Sequence, residues 1–311
     1  MFHSRWIHKL LGLRGSRSLR RRRAAQTRKP VRLLLETLEE RVVPSGGDPT
    51  VTQTANSYTQ LTGLVAGDTA ANTNYIIQIT NSFAFNAGGQ VTISALAAGS
   101  TMTIEGQGGT NYTLTGNGNR LFDVVGAGQT VTLKDLTLTG GSTVTSGGGI
   151  LDAGGSVALS CATVKTNTAT GSLAAFAKGG GVFVSGGGIL SVKNSTIANN
   201  VAQGVAGTSA SPNGGAAVGG GVFVSGSSTV QITDSVVSGN RAQGGAGFTP
   251  PTAGAGGGTA GTGVGGGVAG FGSGGWTVTL KGDTLSGNSA VGGAGGNGAT
   301  GHNATGVNSK G

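Results

Sequence analysis

The sequence predicts an all-β fold, a right-handed single-stranded parallel β-helix, preceded by a basic leader that is disordered or partly helical. Three observations predict this class. Glycine supplies 65 of the 311 residues and charged residues only 10%, unlike an ordinary globular enzyme or a charged disordered tail. Apolar residues alternate with a period of two, which indicates strands. A motif led by three glycines recurs at spacings of 32, 40 and 46 residues, which indicates a solenoid.

The positive charge of the chain is confined to its first 43 residues. They hold 12 Lys and Arg against three Glu, and so account for the whole formal charge of +9. The folded part is therefore neutral and does not require a polyanionic partner. Residues 1–45 are predicted to be an Arg-rich leader that ends in a short amphipathic helix, and residues 46–56 a linker. The leader lacks the long apolar core of a cleavable signal peptide.

The end of the leader has the sequence LETLEERVVPS, which carries a targeting motif of Leu35, Glu36, Leu38, Glu39, Arg41 and Pro44. Together with the arginines before it, this stretch resembles the N-terminal tag of large exported and surface proteins of some environmental bacteria. The resemblance implies a cell-surface or extracellular location. The alternative is a basic tail that touches nucleic acid or anionic lipid without specificity.

Upstream of the repeats, short alternating runs between residues 52 and 129 predict early coils. Ser57, followed by Tyr58, Leu61, Leu64 and Val65, predicts a helix over residues 57–66 that caps one end of the stack. The β-helix domain is predicted to cover residues 57–290. Residues 291–311 are predicted to form a Gly-rich C-terminal tail.

The repeat units begin at Gly147, Gly179, Gly219 and Gly265. When the units are aligned, aliphatic residues fall in columns two residues apart, which is strand spacing with one buried face. A column of residues that mostly favour turns separates the strands, so each unit is predicted to be a coil of three strands. The turn column is Asp135, Cys161, Asn194, Asp234 and Gly282. The aliphatic columns include Val157, Leu190, Val230 and Val278, then Leu159, Val192, Ile232 and Leu280, and then Val164, Ile197, Val237 and Leu285.

Three further predictions come from the alignment. Asparagines at one position in every unit are predicted to stack as a ladder between coils, namely Asn167, Asn200, Asn240 and Asn288. Phe183 and Phe223 share a column, either in the core or as an exposed stripe that contacts a glycan or a partner. The chain between each ladder asparagine and the next glycine triplet lengthens along the sequence. Residues 170–178, 203–218 and 243–264 are therefore predicted to project from one edge as mobile inserts.

The segments TMTIEGQGG and RLFDVVGAGQTVTLKDLTLTGG, with the glycine-led units that follow, resemble the right-handed β-helix repeats of bacterial surface and autotransporter-like proteins, of the pectin-lyase-like fold. The resemblance covers about residues 52–290. It implies the fold, but it leaves the function open because this fold carries lyases, hydrolases, adhesins and scaffolds.

The chain offers few groups for catalysis. The acids of the repeat region are Asp68, Glu105, Asp123, Asp135, Asp152, Asp234 and Asp283, and the first histidine after the leader is His302. Paired aspartates with a His-Gly, as in the hydrolases of this fold, are absent from the sequence, as is the calcium-binding nonapeptide. Cys161 is the only cysteine and has no nearby histidine, so it is predicted to be a packed or turn thiol. We predict no catalytic residue, metal ligand or cofactor.

These observations predict an exported or cell-surface protein with a structural, adhesive or carbohydrate-binding role. Its expected partner is an extracellular polysaccharide or another surface protein, with no specific nucleic acid and no transmembrane segment. The first alternative is a polysaccharide lyase or glycoside hydrolase of the same fold. The second is nucleic-acid or anionic-surface binding through the basic N-terminus.

Overall fold

The computed structural model describes residues 48–251, 256–297 and 308–309. This part of the chain is mostly β, and almost all of its strands pair in parallel within stacked sheets. The predicted leader and its targeting motif lie outside the described residues. The α-helix that is described has ten residues, too few to cross a bilayer, and no other helix in these ranges could do so.

The first half of the described chain contains one α-helix, a 3₁₀ turn at Gln107–Gly109 and ten short strands. In chain order the elements are β1 (Thr50–Ala55), α1 (Tyr58–Gly67), β2 (Asn74–Ile79), β3 (Phe83–Ala84), β4 (Val91–Ile93), β5 (Thr101–Gly106), β6 (Tyr112–Thr115), β7 (Phe122–Val125), β8 (Thr130–Lys134), β9 (Leu136–Thr139) and β10 (Ser142–Val144).

The second half contains the glycine-led units. Its strands are β11 (Ile150–Ala153), β12 (Ser156–Ser160), β13 (Thr163–Lys165), β14 (Thr168–Thr170), β15 (Ala177–Lys178), β16 (Val182–Ser185), β17 (Ile189–Lys193), β18 (Thr196–Ala198), β19 (Val201–Gln203), β20 (Ala217–Val218), β21 (Val222–Val224), β22 (Thr229–Thr233), β23 (Val236–Ser238), β24 (Arg241–Gln243), β25 (Gly263–Val264), β26 (Val268–Gly270), β27 (Thr277–Lys281), β28 (Thr284–Ser286), β29 (Ser289–Val291) and β30 (Asn308–Ser309).

The strands form five sheets, and each coil of the chain adds one strand to several of them in turn. Sheet A has the order β1-β2-β5-β8-β12-β17-β22-β27, sheet B β28-β23-β18-β13-β9-β6-β3, sheet C β26-β21-β16-β11-β7-β4, sheet D β10-β14-β19-β24-β29-β30 and sheet E β15-β20-β25. β30 is the exception to the parallel pairing, since it runs antiparallel to β29. The arrangement is compatible with a parallel β-solenoid.

The core lies between sheets A, B and C. It is filled by the side chains at alternate positions of each strand, which face inward. The register pairs Val157 with Leu190, and Leu190 with Val230, in successive strands of sheet A. These three side chains are fully buried. Neighbouring strands of a sheet are about 4.8 Å apart, so like side chains stack directly on one another. The apolar stack is continuous because each coil puts an aliphatic residue at the same place.

The prediction of a linker over residues 46–56 is wrong for residues 50–55, which form β1 and pair with β2. Ala55 in this strand is buried, and the pairing satisfies backbone groups that a linker would leave to solvent. α1 follows at once. Ser57 accepts a hydrogen bond from the Gln60 amide, and the Gln60 side chain accepts one from the Asn56 amide, as in a capping box. Leu61 is buried against the first coils, so the helix covers apolar side chains at this end.

The turn column between sheets A and B has left-handed backbone conformation. Its φ angles are +50° at Asp135, Cys161 and Asp234, +48° at Asn194 and +71° at Gly282. Glycine, Asn and Asp tolerate this conformation best, which explains their use at this corner. Cys161 lies at this turn and is exposed.

The inserts are organised differently from the mobile loops that their composition predicts. We call residues 204–207, 244–248 and 292–297, which follow β19, β24 and β29, the outgoing segments. Residues 212–217 and 257–262, which lead into β20 and β25, are the returning segments. Together they form a hydrogen-bonded glycine bundle, in which bonds recur every three residues. Three residues per turn is the period of the polyproline II helix.

Bonds within each layer of the glycine bundle join segments that run in the same direction. Gly204 N and Gly207 N donate to the carbonyls of Gln243 and Ala246, both at 2.7 Å. Bonds between the layers join segments of opposite direction: Gly245 N donates to Gly215 O at 2.8 Å, and Phe248 N to Pro212 O at 2.7 Å. The further bonds are Gly244 to Val291, Gly247 to Ala294, Gly214 to Thr259, Gly215 to Val205, Gly258 to Phe248, Gly261 to Gly245, Gly293 to Gly261 and Gly296 to Gly258. The described parts of the inserts are therefore held in place by hydrogen bonds to one another.

Close packing explains why this bundle needs glycine. A Cβ added at Gly245 would overlap the carbonyl of Val205, and one at Gly258 would overlap that of Pro212. The strand spacing of the coils brings successive segments within about 5 Å of each other, which leaves no room for a side chain between backbones. Glycine composition therefore indicates close packing here as well as flexibility.

We predict that Gly245→Ala destabilises the protein by about 1 to 3 kcal/mol, because the methyl group forces two hydrogen-bonded segments apart. Gly256→Ala is the matched control, since a Cβ at Gly256 meets nothing within 4 Å. Denaturant unfolding of the full chain measures both variants. Equal stability of the two would contradict the glycine bundle.

Candidate functional site

The four predicted ladder asparagines form a continuous column of amide bonds. The Nδ2 atoms of Asn167, Asn200 and Asn240 each donate to the Oδ1 atom of the next asparagine at 3.0 Å. Each Oδ1 also accepts the backbone N–H of the preceding asparagine, and each Nδ2 also donates to a carbonyl of the preceding coil. Both amide protons are thereby used, and Asn167, Asn200 and Asn240 are 0% exposed. These three buried asparagines have no amide group free for a ligand, whereas Asn288, at the end of the ladder, is half-buried and its Nδ2 donates to Val237 O alone among the described residues.

We predict that Asn240→Leu lowers the free energy of unfolding by about 1 to 3 kcal/mol. The Asn200 backbone and side-chain amides lose their acceptor, and Asn288 Oδ1 loses one of its two donors. Gln231→Leu is the control, since Gln231 is an exposed amide on a neighbouring strand. Thermal unfolding followed by circular dichroism measures the difference. A loss confined to ligand binding, with unchanged stability, would be evidence against a structural ladder.

The Phe183 and Phe223 rings stack with centroids 5.5 Å apart and an interplanar angle of 27°. Both side chains are buried, but they point away from the main core. They form a small second cluster with Val218, against which Leu151 and Ala269 pack. Val218 belongs to the insert that returns over the outside of sheet C, and Lys178 Nζ lies 5.8 Å from the Phe183 centroid. An aromatic stripe open to a glycan is therefore not present at these two residues.

Three acids of the described chain, Asp123, Glu105 and Asp135, form ion pairs. Arg120 Nη1 lies 3.2 Å from Asp123 Oδ2, while the same guanidinium also donates to the carbonyls of Ser146 and Gly147. Lys134 Nζ lies 3.0 Å from Glu105 Oε2 and 3.6 Å from Asp135 Oδ2. No group of three or more metal-liganding side chains occurs among the described residues.

The Glu105, Lys134 and Asp135 cluster comes nearest to the two acids and one base that a polysaccharide-cleaving site needs. Hydrogen bonding to Glu105 raises the pKa of Lys134, so the amine stays protonated and is unsuited to act as a general base. The cluster lies on the outer face of sheet A and lines neither of the two concave surfaces described below. Its geometry suits an ion pair between coils.

Asp152 is the most deeply buried titratable group of the described residues. It faces the core in the column that holds Val124 and Val184 in the neighbouring coils, and it is 0% exposed. Its Oδ1 accepts the Gly155 amide at 2.7 Å, whereas Oδ2 has no hydrogen-bond partner among the described residues. Burial raises the pKa of Asp152 to about 6, against the lowering effect of the Gly155 bond.

Two concave surfaces stand out. One is a groove of about 540 Å³ between sheet D and the outgoing segments, with Gln203, Arg241 and Gln243 on one wall. The other, of about 260 Å³, lies at the last described coil beside Trp276 and Leu285. Inward positions of this coil are exposed, with Leu280 43% and Leu285 47% accessible, because no further coil among the described residues covers them.

Comparison of the chain with protein-family models, curated proteins and solved structures found no match. The motif resemblances therefore remain expectations.

We predict that Asp152 makes stability depend on pH. Its folded pKa is raised above the unfolded value of 3.8. The protonated side chain therefore favours folding below about pH 4, and this contribution is lost as pH rises through 6. At pH 8, thermal unfolding should show Asp152→Asn to be more stable than wild type by at most about 3 kcal/mol. This difference in stability should shrink toward pH 4. Asp48→Asn, at an exposed position, is the control. A gap independent of pH would contradict the assignment.

Proposed function

We propose that this protein is an exported or cell-surface right-handed parallel β-helix with a structural, adhesive or carbohydrate-binding role and no catalysis. The observation that carries the proposal is a row of threonines on the outer face of sheet B. Thr113, Thr137, Thr163 and Thr196 are register partners in four successive coils, and all are half-buried.

A row of this kind suits a repetitive partner. Its hydroxyl groups recur at about 4.8 Å, the spacing of the strands, and a threonine hydroxyl can both donate and accept a hydrogen bond. The Thr137 hydroxyl already donates to Asn111 Oδ1, so it can only accept from a partner. The surface is close to neutral, because the charged residues of the described chain are few and several are paired with each other. A neutral array of hydroxyl groups favours contacts with a hydroxyl-rich polymer over contacts with a polyanion.

An enzyme is the second candidate. The buried asparagines Asn167, Asn200 and Asn240 are occupied by hydrogen bonds within the ladder. The nearest approach to a catalytic cluster, around Lys134, holds its amine in ion pairs. Export is supported by the resemblance of the leader to a surface-protein tag, and nucleic-acid binding through the same leader is the remaining alternative.

The test is a glycan array probed with the full chain, combined with lyase and hydrolase assays on every glycan that binds. We expect binding without product release. Replacing Thr163 and Thr196 together by Arg should weaken that binding about tenfold or more, since two long side chains cover the row. Ser191→Arg with Gln231→Arg, on the exposed face of sheet A, is the matched control. Product release, or equal effects of the two double variants, would contradict the proposal.

A further inference from the structure

The outgoing segments of the glycine bundle have one covered and one open flank. The covered flank packs against the returning segments through the bonds from Gly245 and Phe248. The open flank faces the groove of about 540 Å³ that also borders Arg241 and Gln243. The bundle side of this groove consists of glycine and alanine only, so no side chain larger than a methyl group lies on it.

The open flank carries a regular set of backbone donors. Ala206, Ala246 and Ala294 occupy equivalent positions in the three outgoing segments, and all three are exposed. Their N–H groups have no acceptor among the described residues. Because the segments belong to successive coils, these donors recur at about 4.8 Å across the groove.

The bundle itself indicates which kind of chain satisfies such donors. On the covered flank the same segments donate to carbonyl groups of glycine-rich chains, at 2.7 to 2.9 Å and every third residue. That interface admits glycine because a Cβ at Gly214 or Gly261 would overlap a neighbouring carbonyl. The open flank belongs to the same outgoing segments, so it has the same three-residue backbone period, and it too is lined by small residues.

We propose that the open flank binds a glycine-rich polypeptide segment of a partner protein in the polyproline II conformation, as a further layer of the bundle. The carbonyl groups of the incoming segment accept hydrogen bonds from Ala206, Ala246 and Ala294. The groove walls formed by the bundle have no aromatic residue to stack on a sugar ring and no large apolar side chain to hold an amphipathic helix. This inference does not depend on the proposed binding at the threonine row.

The test uses the isotope-labelled full chain and a synthetic peptide, GGGTAGTG, which has the sequence of residues 256–263. We expect the peptide to shift the backbone amide resonances of Ala206, Ala246 and Ala294. A second peptide with each glycine replaced by alanine should not shift them, because its methyl groups prevent close approach. Absence of shifts with the first peptide, or equal shifts with both, overturns the proposal. Shifts of these amides with soluble oligosaccharides and not with the peptide would also overturn it.

Two variants separate the hydrogen bond from the shape of the groove. Ala246→Pro removes the donor and keeps the backbone angle of a polyproline II segment. Ala246→Val adds similar bulk and retains the donor. We expect the proline variant to bind the peptide up to about tenfold more weakly than the valine variant. This ratio of dissociation constants corresponds to the loss of one net hydrogen bond. Equal affinities overturn the proposal. Unchanged binding to the glycan array in Ala246→Pro distinguishes this site from the threonine row.

Discussion

The spacing between successive coils is the constraint on which the rest of the structure depends. Parallel strands hydrogen-bond at about 4.8 Å, so every group in one coil meets its equivalent in the next at that distance. Aliphatic side chains respond by stacking into one core, as Val157 and Leu190 do. Polar side chains inside the stack are fully hydrogen-bonded only where their equivalents satisfy them. Asn200 and Asn240 meet this condition through amide bonds, and Asp152, which has valine above and below it, does not.

The same spacing explains how two different secondary structures share one stack. Where the chain leaves sheet D, the β-strands end, but the segments of successive coils remain hydrogen-bonded side by side. Backbones that remain this close can satisfy their N–H groups through a three-residue period if glycine recurs often enough. The glycine bundle thus extends the order of the solenoid into the inserts. Glycine contributes here by the absence of a side chain, whereas at the turn of Gly282 it contributes by its left-handed backbone.

The two binding surfaces that we propose lie where this stacking leaves groups outside the core. The ladder amides inside are occupied by structural bonds. Both proposed surfaces repeat along the stack, which suits partners that are themselves repetitive. The threonine row of sheet B offers side-chain hydroxyls, and the open flank near Ala246 offers backbone donors. We therefore propose different chemical classes of partner for the two surfaces.

Sequence alone determined the parts of this structure that depend on local pattern. The period of two located the strands, Ser57 with the apolar residues after it located the helix, and the position of Asn240 in its unit predicted an amide ladder between coils. Tertiary structure decided what depends on neighbours distant in sequence. The burial of Asp152 comes from the coils on either side, and the covering of Phe223 comes from the insert that returns over sheet C. The order of the inserts arises only when several glycine-rich segments lie side by side, because no single segment has an internal hydrogen bond to reveal it.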